Sequence, residues 1–105
     1  MKLSDQMQRF VKASDMTQVI ALLDALLASP GHMLSATDLP RAFLRGRFRG
    51  KVGYTSLRKA VITAIKENLI HQDNSFFKLN SFTPEQIERL RLFINAAHRR
   101  VTYGT

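Results

Sequence analysis

Residues 45–51 read RGRFRGK and carry a positive charge at every second position. Guanidinium groups bind phosphate oxygens through paired, charge-assisted hydrogen bonds. Gly46 and Gly50 allow the backbone to approach a ligand closely, and the alternation predicts an extended arm. Phe48 is expected either to anchor this loop in the core or to stack on an exposed base. The phosphate-binding candidates of the loop are Arg45, Arg47, Arg49 and Lys51.

The positive charge of the chain is concentrated in one segment. The 105 residues have a net charge of +8, from 16 basic and 8 acidic side chains. Between Leu39 and Lys66 there are eight basic residues and no acidic residue, so the rest of the chain is balanced. A field of one sign is typical of proteins that bind a polyanion. We therefore expect a nucleic-acid partner, and no membrane, because the arginine stretch lacks the large apolar residues of an interfacial helix.

The composition argues against several other classes of protein. The chain has no cysteine, which excludes disulfides and thiolate metal sites. It also lacks an apolar run of the roughly 20 residues that span a bilayer, and its N-terminal residues MKLSDQMQRFVK are too charged for a signal peptide. We expect an intracellular protein, cytoplasmic or nucleoid-associated in a prokaryote and nuclear in a eukaryote.

No set of residues suggests catalysis or a cofactor. The three histidines, His32, His71 and His98, lack the spacing of a helical zinc pair. The glycines of the basic loop do not have the spacing of a phosphate-binding Walker motif. Asp24 is alone on its predicted helix and is expected to face solvent. We predict that the protein is not an enzyme and uses no metal or cofactor.

Hydrophobic periodicity predicts one domain over residues 1–105, mostly α-helical with a small β-hairpin. Residues 1–14 are expected to form an arm or a short helix. Asp15 and Gln18 resemble a capping box at the start of the next helix, which is stopped by Ser29-Pro30-Gly31. A very short strand at residues 33–34 precedes a helix that is capped by Ser35 or Thr37, has Pro40 in its first turn and ends at Gly46.

The third strong helix is predicted over residues 55–68. Its expected core face centres on Leu57, with Val61, Ala64, Ile65 and Asn68 nearby. The opposite face carries Thr55, Lys59, Ile62, Thr63 and Lys66.

A β-hairpin and a last helix complete the prediction. Strands 69–72 and 76–79 flank the turn residues Asp73, Asn74 and Ser75. In the last helix, residues 83–101, Thr83 is the expected N-cap and Gln86 completes a capping box. The apolar stripe of this helix, Ile87, Leu90, Ile94, Ala97 and Val101, is either core or a homodimer interface. The same alternative holds for Met7, Phe10 and Val11 of the N-terminal segment.

The order of elements over residues 15–80 resembles the winged helix-turn-helix domain. The segment SLRKAVITAIKENLIHQDNSFFKLN carries most of the likeness and is also similar to the globular domain of linker histones, whose long lysine-rich tails are not found here. The resemblance implies a winged helix with an additional C-terminal helix, in which helix 55–68 enters the DNA major groove. The wing departs from strongly DNA-binding ones, because its basic residue is Lys78 and Asp73 lies at its tip.

This resemblance extends the set of candidate DNA-binding residues beyond the loop. Arg58, Lys59 and Lys66 are expected to neutralise phosphates, and Thr55, Lys59 and Thr63 to contact base edges. Ile62 is expected to pack under the N-terminal segment or against a thymine methyl group. The triplet Arg45-Gly46-Arg47 matches the core of AT-hook peptides, which enter narrow A·T-rich minor grooves. The full set outside the loop is Tyr54, Thr55, Ser56, Arg58, Lys59, Thr63 and Lys66.

Three functional hypotheses follow. The first is a protein that binds double-stranded DNA, either as a transcriptional regulator or as an architectural, nucleoid-type factor. The second is an RNA-binding or single-strand-binding protein that uses Phe48 and Tyr54 as stacking platforms. The third is a winged-helix adaptor whose basic loop meets an acidic protein partner.

Overall fold

The structure is a computed structural model that describes residues 16–103. The predicted N-terminal arm and the residues Met7, Phe10, Val11 and Asp15 lie outside this range. The described chain is mostly helical, with four α-helices and a small antiparallel sheet. In chain order the elements are α1 (Met16–Leu27), a short 3₁₀ turn (Pro30–His32), β1 (Met33–Ser35), α2 (Leu39–Arg45), α3 (Tyr54–Lys66), β2 (Ile70–Asp73), β3 (Phe76–Leu79) and α4 (Pro84–Tyr103).

Helix α1 is the centre of the core. Its apolar residues surround most of its circumference, which is typical of a helix that is covered on several sides. It contacts α2, α3, α4 and the sheet. The predicted stop is confirmed, since Ser29 Oγ donates to the Ala25 carbonyl at 2.9 Å and Gly31 adopts a φ of +67° beyond the helix end. The fully buried residues of α1 are Val19, Ile20, Leu22, Leu23 and Leu26.

The sheet has three strands in the order β1-β3-β2, all antiparallel. The predicted hairpin is confirmed, with Ile70 opposite Leu79 and Asp73 opposite Phe76. Asp73 is the last residue of β2, so the turn is only Asn74-Ser75, and Asn74 has a φ of +57°. The predicted short strand is also present, and its pairing with β3, Met33 opposite Lys78, turns the hairpin into a sheet.

Helix α3 covers residues 54–66, and part of its predicted core face was wrong. Leu57 and Ala64 are buried as expected, but Ala60 is buried as well. Ile65 is 38% exposed, and Asn68 lies beyond the helix with a φ of +61°. The face that meets α1 is therefore rotated toward the two alanines, whose small side chains allow the helices to approach closely.

Helix α4 begins with the predicted capping box. Thr83 Oγ1 accepts from the Gln86 N–H at 3.1 Å, and Gln86 Oε1 accepts from the Thr83 N–H at 2.8 Å. Leu90, Ile94 and Ala97 are buried in the chain's own core. At these positions the apolar stripe is core, not an exposed dimer interface.

Candidate nucleic-acid interface

The basic loop is folded, not extended. The Arg49 N–H donates to the Gly46 carbonyl at 3.0 Å, and the Lys51 N–H donates to the Phe48 carbonyl at 2.9 Å. Gly50, in the third position of the second turn, has a φ of +82°, as a type II turn requires. The prediction of an extended arm was wrong because these two overlapping turns shorten the chain between α2 and α3.

Phe48 anchors this loop in the core. Its side chain is 1% exposed, and its ring meets the His98 ring of α4 edge-on, with centroids 5.2 Å apart. Of the two roles expected for Phe48, the anchor is therefore the one observed. In this conformation Phe48 cannot serve as a stacking platform, and the loop cannot thread along a minor groove as an AT-hook does.

Arg47 is tied to α1. Its Nε and Nη2 atoms lie 3.2 Å and 3.0 Å from the same carboxylate oxygen of Asp24. The Asp24 side chain is only 19% exposed, so the expectation that it faces solvent was wrong. The lone acid of an otherwise apolar helix was the signal that sequence reasoning missed, because such an acid at the edge of a core usually has a partner.

The other three cations of the loop are exposed to solvent. Arg45, Arg49 and Lys51 are exposed, and none forms an ion pair within residues 16–103. The buried Phe48 and the Arg47–Asp24 pair thus fix the loop, while its remaining charges stay available to a ligand. An anchored loop loses less conformational entropy on binding than a flexible arm would.

The outer face of α3 combines charge with exposed apolar groups. Tyr54, Arg58 and Ile62 follow one another at four-residue intervals and therefore lie in one row. Tyr54 is 65% exposed and Ile62 is 57% exposed. The row lines a groove of about 350 Å³ whose other walls include Pro40 of α2 and Phe77 of β3. Ile62 faces solvent here, without cover from the described part of the chain.

The remaining predicted residues of α3 divide into two groups by exposure. Thr55, Lys59 and Lys66 are exposed, whereas Ser56 and Thr63 are half-buried. Thr63 is therefore a poorer candidate for base contact than its place on the predicted outer face implied. Arg41 of α2, which the candidate set did not include, is also exposed.

The tip of the sheet is electrically neutral. Lys78 Nζ lies 3.0 Å from Asp73 Oδ2, and the pair occupies adjacent strands. Asn80, just after β3, connects the hairpin to the segment between α3 and β2, since its Nδ2 donates to the Asn68 carbonyl at 2.6 Å and its Oδ1 meets His71 Nδ1 at the same distance. The hairpin is thus tied to the segment that follows α3, and it offers little net charge.

Residues 16–103 contain no group of three or more histidine, aspartate or glutamate side chains placed to hold a metal ion. No helix in this part of the chain has the length and hydropathy needed to cross a membrane. Comparisons with family models, curated proteins and solved structures found no match to the chain. The site must therefore be interpreted from its own chemistry.

Proposed function

We propose that this chain is a winged helix-turn-helix protein that binds double-stranded DNA. One observation carries the proposal: all eight basic residues between Leu39 and Lys66 are exposed, and no acidic residue interrupts them. Such a segment attracts a polyanion, and its binding is favoured by the release of cations condensed on the nucleic acid. The exposed set is Arg41, Arg45, Arg47, Arg49, Lys51, Arg58, Lys59 and Lys66.

The arrangement of elements supports the winged-helix assignment. Helices α1, α2 and α3 are followed by β2 and β3, and β1 joins the sheet from between α1 and α2. One groove is lined by α2, α3 and β3 together, so the proposed recognition helix lies beside the proposed wing. In this proposal α4 is an addition to the basic unit, attached through α1.

The mechanism is non-covalent. The loop cations and Lys66 contact phosphates, which orients the protein but carries no sequence information. Thr55 and Arg58 are the best-placed polar groups for base edges, because both are exposed on the outer face of α3. The neutral Lys78–Asp73 pair makes the wing a minor contributor. Strong discrimination between DNA sequences would indicate a regulatory role, and weak discrimination would indicate an architectural one.

A fluorescence-anisotropy titration with a random-sequence duplex over a salt series tests the proposal. The variant changes Arg45, Arg49 and Lys51 to alanine and leaves the Arg47–Asp24 pair intact. A plot of the logarithm of the binding constant against the logarithm of the salt concentration has a negative slope. If three phosphate contacts are lost, the magnitude of this slope decreases by about 2.7. As a control, Arg89→Ala removes a positive charge that is paired with Glu85 and lies outside the segment, and it should leave the slope unchanged.

The same titration separates the alternatives. Tighter binding to single-stranded DNA or RNA than to the duplex would favour the second hypothesis, for which Tyr54 remains an exposed aromatic residue. Wild-type protein that binds no nucleic acid even at low salt would reject the proposal and favour an acidic protein partner.

A further inference from the structure

A polar cleft lies on the side of the basic loop that faces α4. It has a volume of about 270 Å³ and is formed by α1, the loop and α4. Two arginines from distant parts of the sequence, Arg47 and Arg91, contribute to its walls. The other lining residues are Asp24, Leu27, Ile94 and Asn95.

The first arginine is held in place with hydrogen-bonding capacity to spare. A guanidinium group has five N–H donors. Asp24 Oδ1 accepts a hydrogen bond from Arg47 Nε at 3.2 Å and lies 3.0 Å from Nη2, and the guanidinium carbon lies 5.9 Å from the centroid of the Phe48 ring. Arg47 forms no other side-chain hydrogen bond or ion pair within residues 16–103. An arginine whose position is fixed by a carboxylate can thus still bind a second anion.

The second arginine is also available. Arg91 is exposed and forms no ion pair within residues 16–103, whereas its neighbour Arg89 is paired with Glu85 at 3.1 Å. Asn95, one turn after Arg91, adds an exposed amide that can donate to an oxygen. Arg99, a further turn along, is exposed and continues the same row of α4.

The cleft has an apolar floor and a net positive charge. Leu27 and Ile94, which line it, are 7% and 0% exposed. With Arg47, Arg91 and Asp24 the cleft has a formal charge of +1, and Arg45 and Arg49 flank Arg47 in the loop.

The separation between the loop and α4 is fixed at this point. Phe48, next to Arg47, packs against His98, which lies one helical turn beyond Ile94. The two arginines are therefore presented by packed elements and not by a mobile segment. Such preorganisation reduces the entropy lost when a ligand is bound.

We infer that this cleft binds a phosphodiester group of the nucleic-acid backbone between Arg47 and Arg91, with Asn95 as an additional donor. The inference rests on the proposed function and extends the contact surface to α4, which the winged-helix resemblance did not include. Asp24 acts as a positioning residue for Arg47. The nucleic acid would then touch the protein on the loop, on α3 and along α4.

Two arginines on the same helix provide a matched test. Salt-dependent titrations of the random-sequence duplex are made with wild type, Arg91→Ala and Arg89→Ala. We expect Arg91→Ala to reduce the magnitude of the salt slope by about 0.9, the value for one phosphate contact. Arg89→Ala should leave the slope unchanged. Arg91→Lys, which keeps the charge, should retain most of the slope.

Equal effects of the two alanine variants, or no effect of either, would overturn the inference while leaving the proposed function standing. Absence of wild-type binding would instead overturn the proposed function and the inference with it. A second measurement distinguishes sources of phosphate: the NMR signals of the Arg47 and Arg91 Nε–H groups are followed with a short duplex and with inorganic phosphate. Equal shifts with both at the same phosphate concentration would indicate a small-anion site and contradict a backbone contact.

Discussion

Asp24 on α1 and Arg47 in the basic loop, 23 residues apart in sequence, form an ion pair in which one carboxylate oxygen of Asp24 accepts a hydrogen bond from Arg47 Nε at 3.2 Å and lies 3.0 Å from Nη2. This pair connects the segment with the highest positive charge to α1, the helix at the centre of the core. The Arg47 side chain keeps 37% of its surface exposed. The pair therefore contributes modestly to stability, and its main effect is to set the position of the basic loop.

Asp24→Asn should lower the free energy of unfolding by no more than about 1 kcal/mol, because the pair is partly exposed and its Coulomb attraction is screened. The loss should shrink in 1 M salt, where the screening length is only about 3 Å. Urea denaturation at low and high salt measures both effects. Glu85→Gln, which breaks the more exposed pair with Arg89, should cost less. A loss that salt does not change would assign the role of Asp24 to its hydrogen bond with Arg47 Nε and not to its charge.

Phe48→Ala should destabilise the protein by roughly 3–5 kcal/mol, since it removes a buried aromatic side chain and leaves a cavity. Phe76→Ala is the matched control, because Phe76 is 37% exposed and should cost much less. Chemical denaturation of both variants gives the comparison. A small loss for Phe48→Ala would mean that the ring is not held in the core, and would reopen its use as a stacking platform.

Substitution of serine for glycine should change stability in opposite directions at Gly50 and Gly53. Gly50→Ser should destabilise by about 1 kcal/mol, because Gly50 has a φ of +82°. Gly53→Ser should stabilise by a few tenths of a kcal/mol, because Gly53 is the N-cap of α3 with extended backbone, and a Cβ there would meet nothing within 4 Å. Thermal unfolding distinguishes them, and a stabilising Gly50→Ser would contradict the type II turn.

Ile62→Ala should weaken binding to the tightest duplex selected from a random pool and leave random-sequence binding unchanged, because an exposed aliphatic group on α3 can pack against thymine methyl groups but not against phosphates. Ile62 is 57% exposed, so its truncation should leave the fold intact. The random-sequence duplex is the internal control, and anisotropy titrations with both duplexes make the comparison. If the variant binds the selected duplex like wild type, Ile62 has no part in recognition.

Much of the architecture was predictable from the sequence because its signals are local. The α4 capping box of Thr83 and Gln86 involves residues three apart, and the hairpin follows from two short strands around a turn. The concentration of positive charge between Leu39 and Lys66 is likewise a property of the sequence itself. Hydrophobic periodicity also identified α3 but misplaced part of its core face. Ala60 and Ile65 are both compatible with an apolar face at helical spacing, and the packing of α3 against α1 determines that Ala60 is the buried one.

The conformation of the basic loop was determined by the tertiary structure. Alternating charges in RGRFRGK are compatible with an extended arm, and the competing turns become favourable only when Phe48 finds a cavity between elements that lie far apart in sequence. Its contact with His98 and the Arg47–Asp24 pair depend on how α1 and α4 pack. The sequence by itself therefore determined the charge and the local elements, whereas the fold determined which of those charges are held by the protein and which face outward, because burial and pairing are properties of the packed chain.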